Sequence, residues 1–130
     1  MGTVQHSVLL PAAPLRVYAM YLDPVQHASF TGGGDVTIAD REGAEFSGFG
    51  GRISGRILRL DPGRLIVQSW RSFEFKADDP DSILILSLRP EGKGTRLTLV
   101  QAPTPEHLHD TLQNNWPMRY LDPWRAALGG

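Results

Sequence analysis

The residues that could start chemistry are spaced to offer very little of it. His107 and His109 stand two apart in a helical pattern, which turns their side chains about 200° from each other. They could share a metal only in a frayed segment, with Asp110 as a third ligand, and the plainer reading is a solvated first turn. His6 and His27 are lone histidines with no ligand spacing around them. Ser7, Ser29, Ser47, Ser54, Ser69, Ser72, Ser82 and Ser87 are scattered, and none sits in a Gly-x-Ser-x-Gly elbow. No triad signature is present. Thr31–Gly34 and Gly48–Gly51 are glycine-rich but lack the lysine and hydroxyl of a phosphate loop, and the first leads into a strand pattern rather than a helix. Glu45 and Glu74 lie beside phenylalanines. Neighbours on a strand point to opposite faces, so Glu45 faces water if Phe46 faces inward. No catalytic residue, metal or cofactor is therefore assigned.

The aromatic residues are better placed. Phe46, Phe49, Trp70, Phe73, Phe75, Trp116, Tyr120 and Trp124 are most of the chain's aromatics, and they fall on strands and on a helix expected to face one another. Gln68 shares a face with Ile66 and Trp70, while Arg71 faces the other way. Two readings stand side by side: an ordinary core, or an apolar cavity. For a cavity the candidate lining is Phe46, Phe49, Gln68, Trp70 and Phe73 from the sheet, with Leu112, Trp116, Arg119 and Tyr120 from the helix. A dry void of about 300 Å³ would cost roughly 7 kcal/mol at ~24 cal/mol per Å³. That rivals the whole stability of a domain, ~5–15 kcal/mol. Such a space would have to hold water or a ligand, or mark a partner's site.

The elements that position these residues can be read from periodicity. Thr3–Leu10 reads as a strand stopped by Pro11. Pro14 opens a helix whose Leu15, Tyr18, Ala19 and Leu22 recur at helical spacing. Asp23-Pro24 suits an N-cap and first turn for a second short helix through about Phe30. Beyond Gly34 the period changes to two, giving strands over Asp35–Arg41, Ala44–Gly50, Gly51–Leu60, Arg64–Phe75, Ser82–Arg89 and Thr95–Gln101. Short connections such as Asp61-Pro62-Gly63 make these strands antiparallel. Gly48, Gly50, Gly51 and Gly55 read as bulges or bends that let the sheet curl, or else as room for a ligand. Thr104-Pro105 can then open a long helix on which Leu108, Leu112, Trp116, Tyr120, Trp124 and Leu128 recur every four residues. That stripe drifts about 40° per step and suits a helix lying across a twisted sheet. Pro117 and Asp122-Pro123 should interrupt it, with a kink near Gln113–Pro117.

The expected fold is thus α+β: one domain over residues 1–130, in which a curved antiparallel sheet of about seven strands grips a long C-terminal helix. Composition agrees. The 130 residues include 13 basic and 14 acidic side chains, a balance that gives no case for nucleic acid or an anionic membrane. There is no cysteine, so disulfides and thiolate chemistry are excluded. No apolar run is long enough to span a bilayer, and the start of the chain shows no signal peptide, so a cytoplasmic location is expected.

The segments 27–33 (HASFTGG), 45–71 (EFSGFGGRISGRILRLDPGRLIVQSWR), 78–90 (DDPDSILILSLRP), 94–101 (GTRLTLVQ) and 114–124 (NNWPMRYLDPW) add something more specific. Together they resemble the activator of heat-shock-protein-90 ATPase homologue family, within the START-like (SRPBCC) superfamily of helix-grip folds. The chain departs from that family at Gln101, where histidine is frequent, and at Asn115, where glycine is frequent. The resemblance implies a binding module for a small hydrophobic molecule or lipid. An alternative it implies is a stress-response domain partnering a heat-shock-protein-90 type chaperone. A third is an aromatase/cyclase-like or hydrolase-like enzyme built on Gln68, Arg119 and Tyr120. Monomer and homodimer are both compatible with it.

Overall fold

Period-two patterning becomes a sheet wherever turn chemistry brings two such segments together. The computed structural model describes residues 1–130. Its strands are β1 (Gly2–Leu10), β2 (Glu45–Gly48), β3 (Ile53–Asp61), β4 (Leu65–Ser72), β5 (Ser82–Glu91) and β6 (Gly94–Thr104). They form one sheet in the order β1-β6-β5-β4-β3-β2, every pair antiparallel. Consecutive strands from β2 to β6 pair through connections of two to nine residues, the longest being 73–81 between β4 and β5, and β1 closes on β6 from the far end of the sequence. The tightest turn joins β5 to β6 at Gly92-Lys93, where Gly92 takes φ 59°.

The sheet has six strands rather than seven. Asp35–Arg41 makes only an isolated bridge, with Thr37 and Ser47 exchanging both backbone hydrogen bonds at 2.9 Å. The opposing strand β2 is only four residues long and gives the segment nothing further to pair with. Ile38 is buried all the same, so the alternation marks packing here without a ladder.

Two helices bridge β1 and β2: α1 (Pro14–Leu22) and α2 (Pro24–Thr31). Asp23 caps α2 as its type predicts, its carboxylate accepting from the N–H groups of Val25 (2.9 Å) and Gln26 (3.0 Å). Thr104 does not cap the C-terminal helix. It ends β6, and Pro105 stands before a short 3₁₀ turn at Glu106–Leu108.

The long helix then runs as α3 (His109–Asn115), a π-helical segment (Trp116–Leu121) and α4 (Asp122–Ala127). The two prolines explain this sequence of states. Pro117 has no amide hydrogen, so the Gln113 carbonyl four residues earlier lacks its helical donor. His6 of β1 places Nε2 2.9 Å from that carbonyl oxygen. A carbonyl only accepts, so the His6 proton sits on Nε2. The next turn widens, and the Asp122 N–H reaches the Pro117 carbonyl. Pro123 falls in the first turn of α4, where its missing donor costs least. The interruptions expected at Pro117 and Asp122-Pro123 are thus merged into one π-helical segment.

Between sheet and helices lies one apolar core. Trp124, Tyr21 and Phe30 are at its centre, with ring centroids 4.9 Å apart for Phe30–Trp124 and 5.7 Å for Tyr21–Trp124. Side chains of this size each contribute about 1.5–3 kcal/mol when fully buried. No helix is long and apolar enough to cross a membrane.

Candidate functional site: a cavity between sheet and helix

On β4 the inward parity is Ile66, Gln68, Trp70 and Ser72, all buried. Trp70 and Ser72 lie at the C-terminal end of that strand, across from Leu112, Trp116 and Tyr120 of the helix. There a cavity of about 250 Å³ opens to solvent. Its walls are Phe49, Ile53, Trp70, Leu112, Trp116 and Tyr120. Polar side chains, Arg52, Ser72, Glu74, Asn115 and Arg119, complete the lining together with Phe73. The walls are locked to each other: ring centroids are 5.8 Å apart for Trp70–Trp116 and 4.8 Å for Trp116–Tyr120. Helical i, i+4 spacing brings the last pair together.

Phe49 closes one side through an unusual turn. Phe49, Gly50 and Gly51 take φ of 50°, 66° and 93°, a left-handed run that glycine adopts freely and phenylalanine does not. The turn lays the Phe49 ring against the backbone of Gly33, where an added Cβ would stand 2.0 Å from the ring. The same ring meets Tyr120 edge-on at 5.5 Å. These glycines therefore set backbone geometry and the position of one wall. Gly55 serves the sheet in the same way, since a Cβ there would collide with the Ser69 carbonyl oxygen.

A buried polar set lies beneath the aromatic wall. His27 Nδ1 is 2.7 Å from the Tyr21 carbonyl oxygen, so Nδ1 carries the hydrogen. Its Nε2 is then the acceptor for the Tyr120 hydroxyl at 2.9 Å. Burial pushes the His27 pKa down from 6.5 to about 4, against a smaller opposing effect of the Tyr21 carbonyl. Burial likewise drives the Tyr21 and Tyr120 phenols well above their ordinary value. Both members of the His27–Tyr120 pair are thus held neutral at neutral pH, far from the matched pKa values that proton shuttling needs. Tyr21 donates its hydroxyl to Gln68 Oε1 at 2.5 Å. Gln101 works in parallel: Oε1 accepts from Trp116 Nε1 (2.8 Å), and Nε2 donates to Ser82 Oγ (3.1 Å), which donates to the Pro103 carbonyl (2.6 Å). Gln101 is therefore the residue that orients the Trp116 wall.

Seven of the nine residues nominated for a cavity line this one: Phe49, Trp70, Phe73, Leu112, Trp116, Arg119 and Tyr120. Phe46 and Gln68 do not. Phe46 packs in the core with its ring 6.0 Å from His27, and Gln68 is fully enclosed. Phe73 is 71% exposed, so it stands at the rim and forms no wall. Strand parity already points it outward, and β4 stops at Ser72. Phe75 turns inward only because the chain reverses there, its N–H reaching the Ser72 carbonyl at 3.0 Å. Gln68, Arg119 and Tyr120 do not assemble into a polar cluster, since Gln68 is sealed in the core and Arg119 lies in solvent. His107 and His109 also diverge, to the Glu74 carbonyl (3.3 Å) and Thr104 Oγ1 (3.0 Å). Sequence reasoning missed Arg52, Ile53, Ser72, Glu74 and Asn115 in the lining and gave His27 no partner.

Comparison with known proteins agrees with this architecture. A solved HSP90 activator from Plasmodium falciparum superposes with a TM-score of 0.89 at 18% identity, over 98% of this chain and 96% of that one. CalU16 from Micromonospora echinospora gives a TM-score of 0.76 at 30% identity, over 93% of this chain and 72% of that one. A curated relative from Dictyostelium discoideum, an activator of 90 kDa heat shock protein ATPase homolog, is 29% identical over 111 residues. Those residues are 85% of this chain but only 28% of the relative, so the chain spans little more than a quarter of that protein's length. The family model described as Activator of Hsp90 ATPase homolog 1-like protein matches residues 11–129, and the chain belongs to that family.

Proposed function

We propose that this chain is a cytoplasmic binding module whose cavity between sheet and C-terminal helix receives a small apolar or amphipathic molecule. The observation that carries this reading is the aromatic-walled space of about 250 Å³ beside Trp70, Trp116 and Tyr120. Closed and dry, that volume would cost roughly 6 kcal/mol at ~24 cal/mol per Å³. Opening to solvent relieves the cost but leaves water against aromatic faces, where an apolar group displaces it with gain. The size lies just under the ~300–1,000 Å³ usual for small-molecule sites, so the ligand has the bulk of one or two rings.

A thermal-shift screen of small aromatic, fatty and polyketide-like compounds tests this. A ligand at a hundred times its dissociation constant adds ~2.7 kcal/mol, a rise of several degrees for a domain of this length. Asn115→Trp should block the cavity from its half-buried rim and abolish the shift while leaving the fold intact. A ligand whose shift survives that substitution binds elsewhere and ends the proposal.

Family membership favours one other reading, a chaperone-associated stress-response domain acting on the host's own heat-shock-protein-90 homologue. A flat screen on folded protein, together with enrichment of that chaperone in a micromolar pull-down, would transfer the function to this reading.

A further inference from the structure

The cavity's polar groups are strongly one-sided. Arg52 and Arg119 both line it, and neither takes part in the chain's ion pairs, where the arginines used are Arg56, Arg71 and Arg96. Asn115 adds an amide. The Ser72 hydroxyl already accepts from the Glu74 N–H at 3.1 Å, which leaves its own hydrogen to give. Trp70 keeps its indole N–H buried and without an acceptor. Against these donors stands one carboxylate, Glu74, which pairs with neither arginine. The lining thus carries one net positive charge and a surplus of donors above an aromatic floor.

We propose that the cavity's ligand is a small aromatic monocarboxylate, with its ring between Trp70, Trp116 and Tyr120 and its carboxylate at Arg52 and Arg119. This rests on the reading of the cavity as a binding site and specifies the chemistry of what fills it. Guanidinium suits the task, because its planar fork matches two carboxylate oxygens. Glu74 disfavours a second negative charge in the same place. The enclosed walls take the ring, and the exposed arginines leave the charged end hydrated, so the carboxylate need not be fully stripped of water.

The test is a matched series: 2-naphthoate, its methyl ester, 2-naphthylmethanol and 2-naphthylmethylamine, titrated by calorimetry into the full chain. The acid should bind about tenfold or more tighter than the ester, as a charge-assisted pair contributes. That preference should shrink at molar salt. Arg52→Ala and Arg119→Ala should each bring the acid-to-ester ratio toward one with little change for the ester, whereas Arg59→Ala, outside the cavity, should leave the ratio intact. Equal binding of acid and ester would overturn the carboxylate assignment while leaving an apolar cavity in place. Tightest binding of the amine would overturn it in favour of Glu74 as the recognising group. Failure of all four compounds to bind folded protein would overturn the aromatic-carboxylate assignment, and a flat result in the broader screen as well would remove the binding-site reading itself.

Discussion

The two polar regions around the C-terminal helix differ in one respect that separates their roles. Below the aromatic wall, His27, Tyr21, Gln68, Gln101 and Ser82 are enclosed, and each has its partner within hydrogen-bond distance. At the cavity mouth, Arg52 and Arg119 are exposed and Asn115 is half-buried, and their side chains hold no hydrogen bond or ion pair within the chain. Enclosed polar groups that lose a partner pay their full desolvation cost, while solvated ones exchange a neighbour for water. The lower region therefore holds the helix on the sheet, and the upper one is free to recognise something else.

The largest expected effect lies in the lower region and is brought out by acid. Because the His27 pKa falls to about 4 in the folded chain, the unfolded chain takes up the proton first as pH drops. Stability should be whole above about pH 6.5 and should fall as pH goes down through about 4, by about 3 kcal/mol in all. The titratable groups touching the ring are Tyr21 and Tyr120, which stay neutral throughout this range. Asp23 and Glu91, held below ordinary carboxylate values by hydrogen bonds from the Gln26 N–H and Arg96, begin to matter only as pH nears their unfolded values of 3.8 and 4.5, at or below the lower edge of the window tested. Urea unfolding of the parent and of His27→Gln between pH 7 and 4.5 checks this. The variant's curve should be flatter, whatever its absolute stability, and parallel curves would show that His27 is not the group being protonated.

A smaller effect should appear where β1 supports the helix. If His6 stands in for the donor that Pro117 lacks, the two residues are coupled. His6→Leu should cost about 1 kcal/mol in the parent. In a Pro117→Ala background a backbone N–H is available for the Gln113 carbonyl, and the same change should cost measurably less. Additive costs in the double-mutant cycle would mean that the 2.9 Å contact is incidental to stability.

Much of this comparison was legible in the sequence, and the illegible part has a common cause. Asp23-Pro24, the hairpin strands and the four-residue aromatic stripe are local patterns with local mechanisms, and they stand where expected. Arg52 was hidden because its direction is set by the left-handed turn at Phe49–Gly51, a conformation that no alternation rule reproduces. His27 was hidden because its second partner, Tyr120, lies 93 residues away. Phe73 shows the opposite error: its aromatic character suggested a wall, while its own strand parity argued against one.

The smallest expected effect is also the sharpest test of the division between the regions. Arg52→Ala and Arg119→Ala remove a full charge each from side chains that nothing in the fold uses. Their effect on unfolding free energy should stay within about 0.5 kcal/mol, as for other exposed positions. Chemical denaturation at neutral pH measures it, with the slope against denaturant unchanged. A loss well above that range in either variant would mean that the arginine braces the Phe49 turn or the π-helical segment. The mouth would then belong to the scaffold, and selectivity for a carboxylate would have to be sought among Ser72, Asn115 and the Trp70 indole alone.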